Sequence, residues 1–419
     1  MKKKYYLALG LLATLASCSQ DEVMEVNRSG DEITFDVVAN KATRAANLYC
    51  NNALPESFYV YAMSKNVPYI VNDVINKDGN NWVNAGGTRY WPDNDVSVDF
   101  YAYTGVGTSQ FSCKYDEAEK KTVTMITDFE AVSNVAEQKD LIYAVQLNES
   151  RVSNDDEGNA VDADPVSLNF RHALSQIVFD AKNVSENIYV KIAGVSVGNV
   201  QNKGDFTLPQ TSTTENYVNH TTQTAGDGHT FTATGTWVLE DGLVNYNVDL
   251  ASAVELKTKD KLEHLTNTVV DGGNTNALLL LPQTKAAWDP ETYSNPTKDG
   301  NVNSYILVDC IIYNVADPAK GYQDGDVILW GTSEGGTKEL AIPAAFNWEQ
   351  GKKYIYTIVF GKGNGGYNPG GDPDPDPVLV PISFKVTVDD FVPVDGGEIV
   401  SEIESEDEGE QGGGEGDGN

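Results

Sequence analysis

Four histidines, four cysteines and 62 Asp and Glu residues are the side chains through which this chain of 419 residues could do chemistry. His172 stands in Phe170-Arg171-His172-Ala173-Leu174, among apolar neighbours, and reads as a core or turn histidine rather than as a catalytic base. His220, His229 and His264 have no Asp or Ser at a recognisable spacing, and no Gly-x-Ser-x-Gly, His-Glu-x-x-His or phosphate-loop pattern occurs. Triads and glycosidase carboxylate pairs assemble from distant positions, so the lack of a local motif weighs little. The expectation is a protein with no catalytic residue and no cofactor. Asn154-Asp155-Asp156-Glu157-Gly158-Asn159, with Asp162 and Asp164 after it, clusters oxygens as a calcium ion requires, but it lacks the EF-hand spacing. It reads as a solvated hairpin tip, and no metal site is expected. Trp82 and Trp91, the latter within Tyr90-Trp91-Pro92, fit an aromatic platform for sugar stacking; the plainer reading is core aromatics at a strand start.

Cys18 differs from the other cysteines. Lys2-Lys3-Lys4, an apolar stretch over residues 5–16 and Leu15-Ala16-Ser17-Cys18 form a secretory signal of the lipoprotein type, and the apolar run is too short to span about 30 Å of hydrocarbon as a helix. Leu-Ala-Ser-Cys resembles a bacterial lipobox, which implies lipid on Cys18 and cleavage before it, with residues 1–17 as the signal peptide. Cys50, Cys113 and Cys310 match no metal-ligand spacing and sit beside apolar or aromatic residues, so one disulfide plus a buried thiol, or three core thiols, is expected. The formal charge is −33, and loss of the three lysines with the signal lowers it to about −36. A polyanion of this kind repels nucleic acid and anionic headgroups, so no nucleic-acid partner is expected. The 40% hydrophobic fraction is enough for real cores and assigns the acidity to a folded protein.

The elements that must carry these residues are strands. Ile33, Phe35, Val37 and Ala39 alternate with Thr34, Asp36 and Val38, and β-rich runs follow at residues 58–63, 69–75, 96–103, 122–126, 141–145, 166–170 and 177–179. A second series runs over residues 190–197, 231–239, 244–250, 278–281, 305–313, 327–330 and 354–360. Residues 254–265 are the only stretch that reads as a helix, and a boundary between two β-sandwiches is expected near residue 184, dividing 45–184 from 185–361. Residues 362–381 form a spacer in which Asp372 to Pro377 alternate Asp with Pro, and this holds the chain extended. Ile382, Phe384, Val386 and Val388 then alternate with polar residues in a one-faced strand over 382–393, and residues 394–419 form an acidic Gly-rich tail.

Taken in order, several segments resemble the fimbrillin family of the Mfa-like type, over most of the mature chain. They are the lipobox, Ile33-Thr34-Phe35, Ala42-Thr43-Arg44-Ala45, Phe58-Tyr59-Val60-Tyr61-Ala62, Tyr90-Trp91-Pro92, Phe100-Tyr101-Ala102-Tyr103, the run from Val166 to Ile177 and Trp348-Glu349-Gln350-Gly351-Lys352. The resemblance implies an all-β chain of two tandem transthyretin-like Greek-key β-sandwich domains, and export as an outer membrane lipoprotein. It further implies assembly with other fimbrial subunits of the same or a different kind into a surface fimbrium that serves cell adhesion. In that scheme residues 18–44 are a lipidated leader with the first strand, an arginine-specific protease cuts between Arg44 and Ala45, and a strand from another subunit fills the groove left behind. Ile382, Phe384, Val386 and Val388 stand where such a donor belongs; the alternatives are an exposed Arg44 and a last strand packed on its own domain. Some 28 residues follow Phe391, which departs from a stalk subunit and points to an accessory, anchor or tip role. The competing expectation is a surface lipoprotein that binds host glycan through Trp82 and Trp91 and does not polymerise.

Overall fold

The computed structural model describes residues 32–39, 55–92, 96–151, 164–213, 233–248, 250–266, 276–298, 300–363, 366–369, 382–390 and 401–402. Among them the chain is all-β, with only short 3-10 turns at Thr108–Gln110, Val135–Glu137 and Pro318–Lys320.

The first sheet has seven strands in the order Phe35–Ala39, Val166–His172, Ile142–Glu149, Val98–Thr104, Ser57–Ser64, Val67–Asp78 and Asn81–Asn84. Only the first pair is parallel. The sheet curls, so that its first strand packs near its last and Glu32 bridges to Tyr90. One face of the sheet therefore closes on itself around Ile33, Phe35, Val37, Phe58, Val60, Phe100, Leu168 and Phe170. Alternation does this: Val166 and Leu168 are buried while Ser167 between them is exposed.

The opposite face, with Tyr61, Tyr103, Tyr143 and Val145, joins a larger core shared with the remaining sheets. A four-stranded sheet, Thr236–Leu239, Lys203–Thr207, Lys121–Glu130 and Phe111–Asp116, covers part of it. A further sheet runs Leu262–His264, Ser175–Asn183, Lys352–Phe360, Ile382–Asp390 and Ser401–Glu402, with Leu278–Leu280 also on Ser175–Asn183. Another is built on Ile188–Val200 and Tyr305–Asn314.

Two sequence expectations are corrected here. Ser175–Asn183 does not belong with the first strand series: it lies parallel to Lys352–Phe360. It is buried on both faces, polar Ser175, Gln176, Asp180 and Asn183 included, so no one-faced alternation marks the sheet it joins. Residues 254–265 are not a helix. Val254–Leu256 pairs with Ile188–Val200 and Leu262–His264 pairs with Ser175–Asn183, with Asp260 at φ 59 in the turn between them. Pairing with two different sheets overrides the helix propensity of Leu, Lys and Glu.

Four strands carry β-bulges at which Asn72, Asp128, Asn148 and Asn199 take positive φ, from 53° to 61°. Asn and Asp tolerate this region better than other side chains. In three cases the facing strand supplies a side-chain acceptor to the bulged N–H. Asp99 Oδ1 accepts from Asn148 N at 2.8 Å, Asp205 Oδ1 from Asp128 N at 3.0 Å and Asn245 Oδ1 from Asn199 N at 3.1 Å.

Candidate assembly site

Phe35–Ala39 lies at the edge of the seven-stranded sheet, paired only with Val166–His172. Ile33, Phe35 and Val37 are buried, and Thr34 and Asp36 face solvent. The Phe35 ring meets Phe58 at 6.4 Å and Phe100 at 6.0 Å, both edge to face. Ile33 N donates to Arg89 O at 2.8 Å, and Val166 N donates to Thr34 O at 2.8 Å. The leader is thus held by one short ladder and three side chains, each contributing about 1.5–3 kcal/mol of burial. Its removal would uncover a row of pockets and a free strand edge.

The strand that receives it is fixed from behind. Asn169 Nδ2 and Arg171 Nη2 both donate to Thr213 O, at 3.3 Å and 2.8 Å. Thr213 in turn donates to Val145 O from its backbone N at 2.7 Å and from its hydroxyl at 3.1 Å. Thr213 is fully buried, so these bonds tie two side chains of Val166–His172 to the neighbouring strand Ile142–Glu149 without involving Phe35–Ala39. Sequence pattern gave no sign of this buckle, since Thr213 lies over forty residues away in a polar loop.

Ile382–Asp390 pairs antiparallel with Lys352–Phe360 of its own chain, from Phe360 opposite Ile382 to Lys352 opposite Asp390. Ile382 is buried, whereas Phe384 and Val386 are half-buried against the shared core, and Lys385 is exposed. The Phe384 ring lies 6.0 Å from Tyr356. Val388 stands opposite Tyr354 in the ladder, its side chain outside the described residues. Cys18, Arg44, Ala45 and Cys50 also lie outside the described residues, as does the acidic loop apart from Asp164.

His172, His264, Cys113 and Cys310 are among the described residues, whereas His220 and His229 lie outside them. His172 is buried, and its Nδ1 donates to Asp140 Oδ2 at 2.7 Å. His264 is an exposed ring whose Nδ1 donates to buried Asp180 at 2.7 Å; burial raises the Asp180 carboxyl above its ordinary range, against the opposing pull of His264 and Lys353. Burial, with Asp99 nearby, pushes the Cys113 thiol up to about 12, and burial beside Asp309 likewise raises Cys310. Both thiols are free, buried and far from thiolate character. Among the described residues, no three His, Cys, Asp or Glu side chains gather as metal ligands.

Trp82 and Trp91 pack as the plainer reading, core aromatics at a strand start, expects. Trp91 is only 5% exposed and packs edge to face on Phe100, while Trp82 is half-buried against Phe58 at 5.0 Å. Both rings serve the closed core, because the curl of the sheet folds Tyr90-Trp91-Pro92 inward beside the leader, and they present no shared exposed face.

The sequence matches the fimbrillin-like family over residues 27–371, and the chain belongs to that family. Similar solved structures include a fimbrial protein from Bacteroides vulgatus, at 14% identity and TM-score 0.46, covering 86% of this chain and 99% of that one. Another is a candidate cell adhesion protein from Bacteroides uniformis, at 13% identity and TM-score 0.37, covering 87% of this chain and 100% of that one. A third is a tip fimbrial protein from Porphyromonas gingivalis with a C-terminal truncation, at 11% identity and TM-score 0.28, covering 84% and 99%. No curated protein matches the chain.

Proposed function

We propose that this chain is a structural or accessory subunit of a bacterial surface fimbrium that contributes to cell adhesion and has no catalytic role. It is exported as an outer membrane lipoprotein through lipid, palmitate included, on Cys18. Cleavage between Arg44 and Ala45 then frees the leader strand, and a donor strand from another subunit takes its place. The observation that supports this reading is the edge strand Phe35–Ala39, parallel to Val166–His172, which with Ile33 before it supplies Ile33, Phe35 and Val37 to the closed core. This is β-augmentation, in which backbone ladder bonds and apolar pockets act together on a one-faced strand. Membership of the fimbrillin-like family supports it.

Limited digestion of the purified chain with an arginine-specific protease tests the proposal. The expected result is one early cut at Arg44, followed by a ladder of oligomers that resists SDS at room temperature. Complete cleavage that leaves only monomer would refute it. Lipid is read separately: labelled palmitate should be found on the uncut chain and lost with the leader, and lost from a Cys18→Ala chain.

A further inference from the structure

Of the three arginines among the described residues, Arg171 is buried, Arg151 is half-buried and Arg89 is exposed, its side chain at 47%. Arg89 stands in Ala85-Gly86-Gly87-Thr88-Arg89-Tyr90, a stretch outside the named strands in which every residue from Ala85 to Arg89 faces solvent. Endoproteases cut such stretches, because the enzyme must draw several residues in extended form into its cleft. Resting on the reading of the leader above, we propose that the Arg89–Tyr90 bond is a second site for an arginine-specific protease, closed while the leader strand is docked and open once it has left. Hydrolysis there breaks the amide between the two residues, and water supplies the new carboxylate on Arg89 and amine on Tyr90.

The leader is what closes the site. Ile33 N donates to Arg89 O at 2.8 Å, so the carbonyl of the bond to be cut already has a partner, and Glu32 bridges antiparallel to Tyr90 on the other side of that bond. A docked leader therefore occupies the backbone edge along which a protease cleft must pair. Ile33 and Phe35 also share the closed core with Trp91, two residues beyond Arg89, so apolar packing holds the same segment down.

The bonds that remain without the leader are side-chain bonds. Arg89 keeps its bidentate pair with Asp73, at 2.6 Å and 3.0 Å, and Tyr90 O keeps the Tyr69 hydroxyl at 2.5 Å. An ion pair at the surface is weak, and a cleft specific for arginine offers the guanidinium an equivalent carboxylate. The backbone bonds of the preceding turn, Ala85 N to Val74 O at 2.9 Å and Gly87 N to Asn84 O at 3.2 Å, stop short of Arg89. A cut there severs the chain between Ser57–Ser64, Val67–Asp78 and Asn81–Asn84 and the rest of their sheet. The protease that opens the groove thus disables a subunit whose groove stays empty.

Digestion of full chains carrying Arg44→Ala, in which the leader stays attached, tests the proposal, with mass spectrometry reading the fragment that begins at Tyr90. The Arg44→Ala parent should resist an arginine-specific protease at Arg89. Adding Ile33→Ala or Phe35→Ala, which loosens the docked leader, should speed the Arg89 cut several-fold, since cutting tracks the fraction of chains open at the site. Val308→Ala, a truncation in the shared core, controls for general unfolding and should leave the rate near the parent's. Asp73→Asn should also leave the docked chain protected. Equal acceleration by Val308→Ala, cutting of the Asp73→Asn chain while its leader is docked, or leader variants that stay uncut would each overturn the proposal. In the chain that keeps Arg44, the cut at Arg89 should follow the cut at Arg44. A chain never cut at Arg44, alongside an Arg44→Ala series that behaves as expected, would refute the processing of the leader and leave the guarded site standing.

Discussion

Phe35 is the largest side chain that the leader places in the closed core, and its two edge-to-face contacts make it the residue whose loss is felt most. Phe35→Ala should lower the unfolding free energy of the uncut chain by about 3–5 kcal/mol in urea titration. The same substitution should leave the cleaved, assembled material unchanged, because the residue departs with the leader. Asp205, which accepts from the bulged Asp128 N–H, is a smaller case: Asp205→Ala should cost about 0.5–1.5 kcal/mol with no effect on assembly. Asp180 gives a pH signature. Its folded pKa is raised by burial, so its contribution to stability is full below the unfolded value of 3.8 and is lost as pH rises through the folded value. Wild type should therefore lose stability relative to Asp180→Asn as pH is raised from 3.8 toward neutrality. Parallel curves for the two proteins would show that Asp180 does not titrate in this way.

At the scale of elements, removal of Ile382–Asp390, which pairs with Lys352–Phe360, tests whether it is the donor in the proposed strand exchange. A chain ending at residue 381 should fold with a modest loss of stability, since Phe384 and Val386 are only half-buried, and should fail to form the SDS-resistant ladder after cleavage. Ladder formation by that truncated chain would move the donor elsewhere. The period-two pattern made this strand and the leader legible in the sequence, because each buries one face only. Strands buried on both faces were harder to assign: Ser175–Asn183 buries Ser175, Gln176, Asp180 and Asn183 along with Ile177, Val178 and Phe179, so its pattern does not say which sheet it joins. The bulges were hidden because Asn and Asp within strands look like turn residues until a facing carboxylate or amide is seen to accept their N–H. Trp91 was ambiguous for a different reason. An indole at a strand start serves a core or a ligand equally well, and only the closure of the sheet decides between them.

At the scale of the whole molecule, the two strand series do not fold as beads on a string. The four-stranded sheet takes Phe111–Asp116 and Lys121–Glu130 from the first half of the chain and Lys203–Thr207 and Thr236–Leu239 from the second. One core runs through all of it, from Tyr61 and Tyr103 to Val308 and Tyr356. Tyr143 reinforces the junction: its hydroxyl lies 3.3 Å from Gln350 Oε1 and accepts from Gly235 N, while Gln350 Nε2 donates to Gly235 O at 3.0 Å. The middle of the molecule is thus joined through side chains and ladder bonds together. The consequence is cooperativity. Residues 45–184 and 185–361 expressed separately should each fail to fold, since the first lacks half of the four-stranded sheet and the second lacks Ser175–Asn183, a central strand of its own sheet. In the intact chain, native-state hydrogen exchange should give Val60 and Ile306, deep in the closed and shared cores, the same opening free energy. A gap of several kcal/mol between them, or a folded half with dispersed amide resonances, would mean that the halves are independent and that the shared core is only a contact surface.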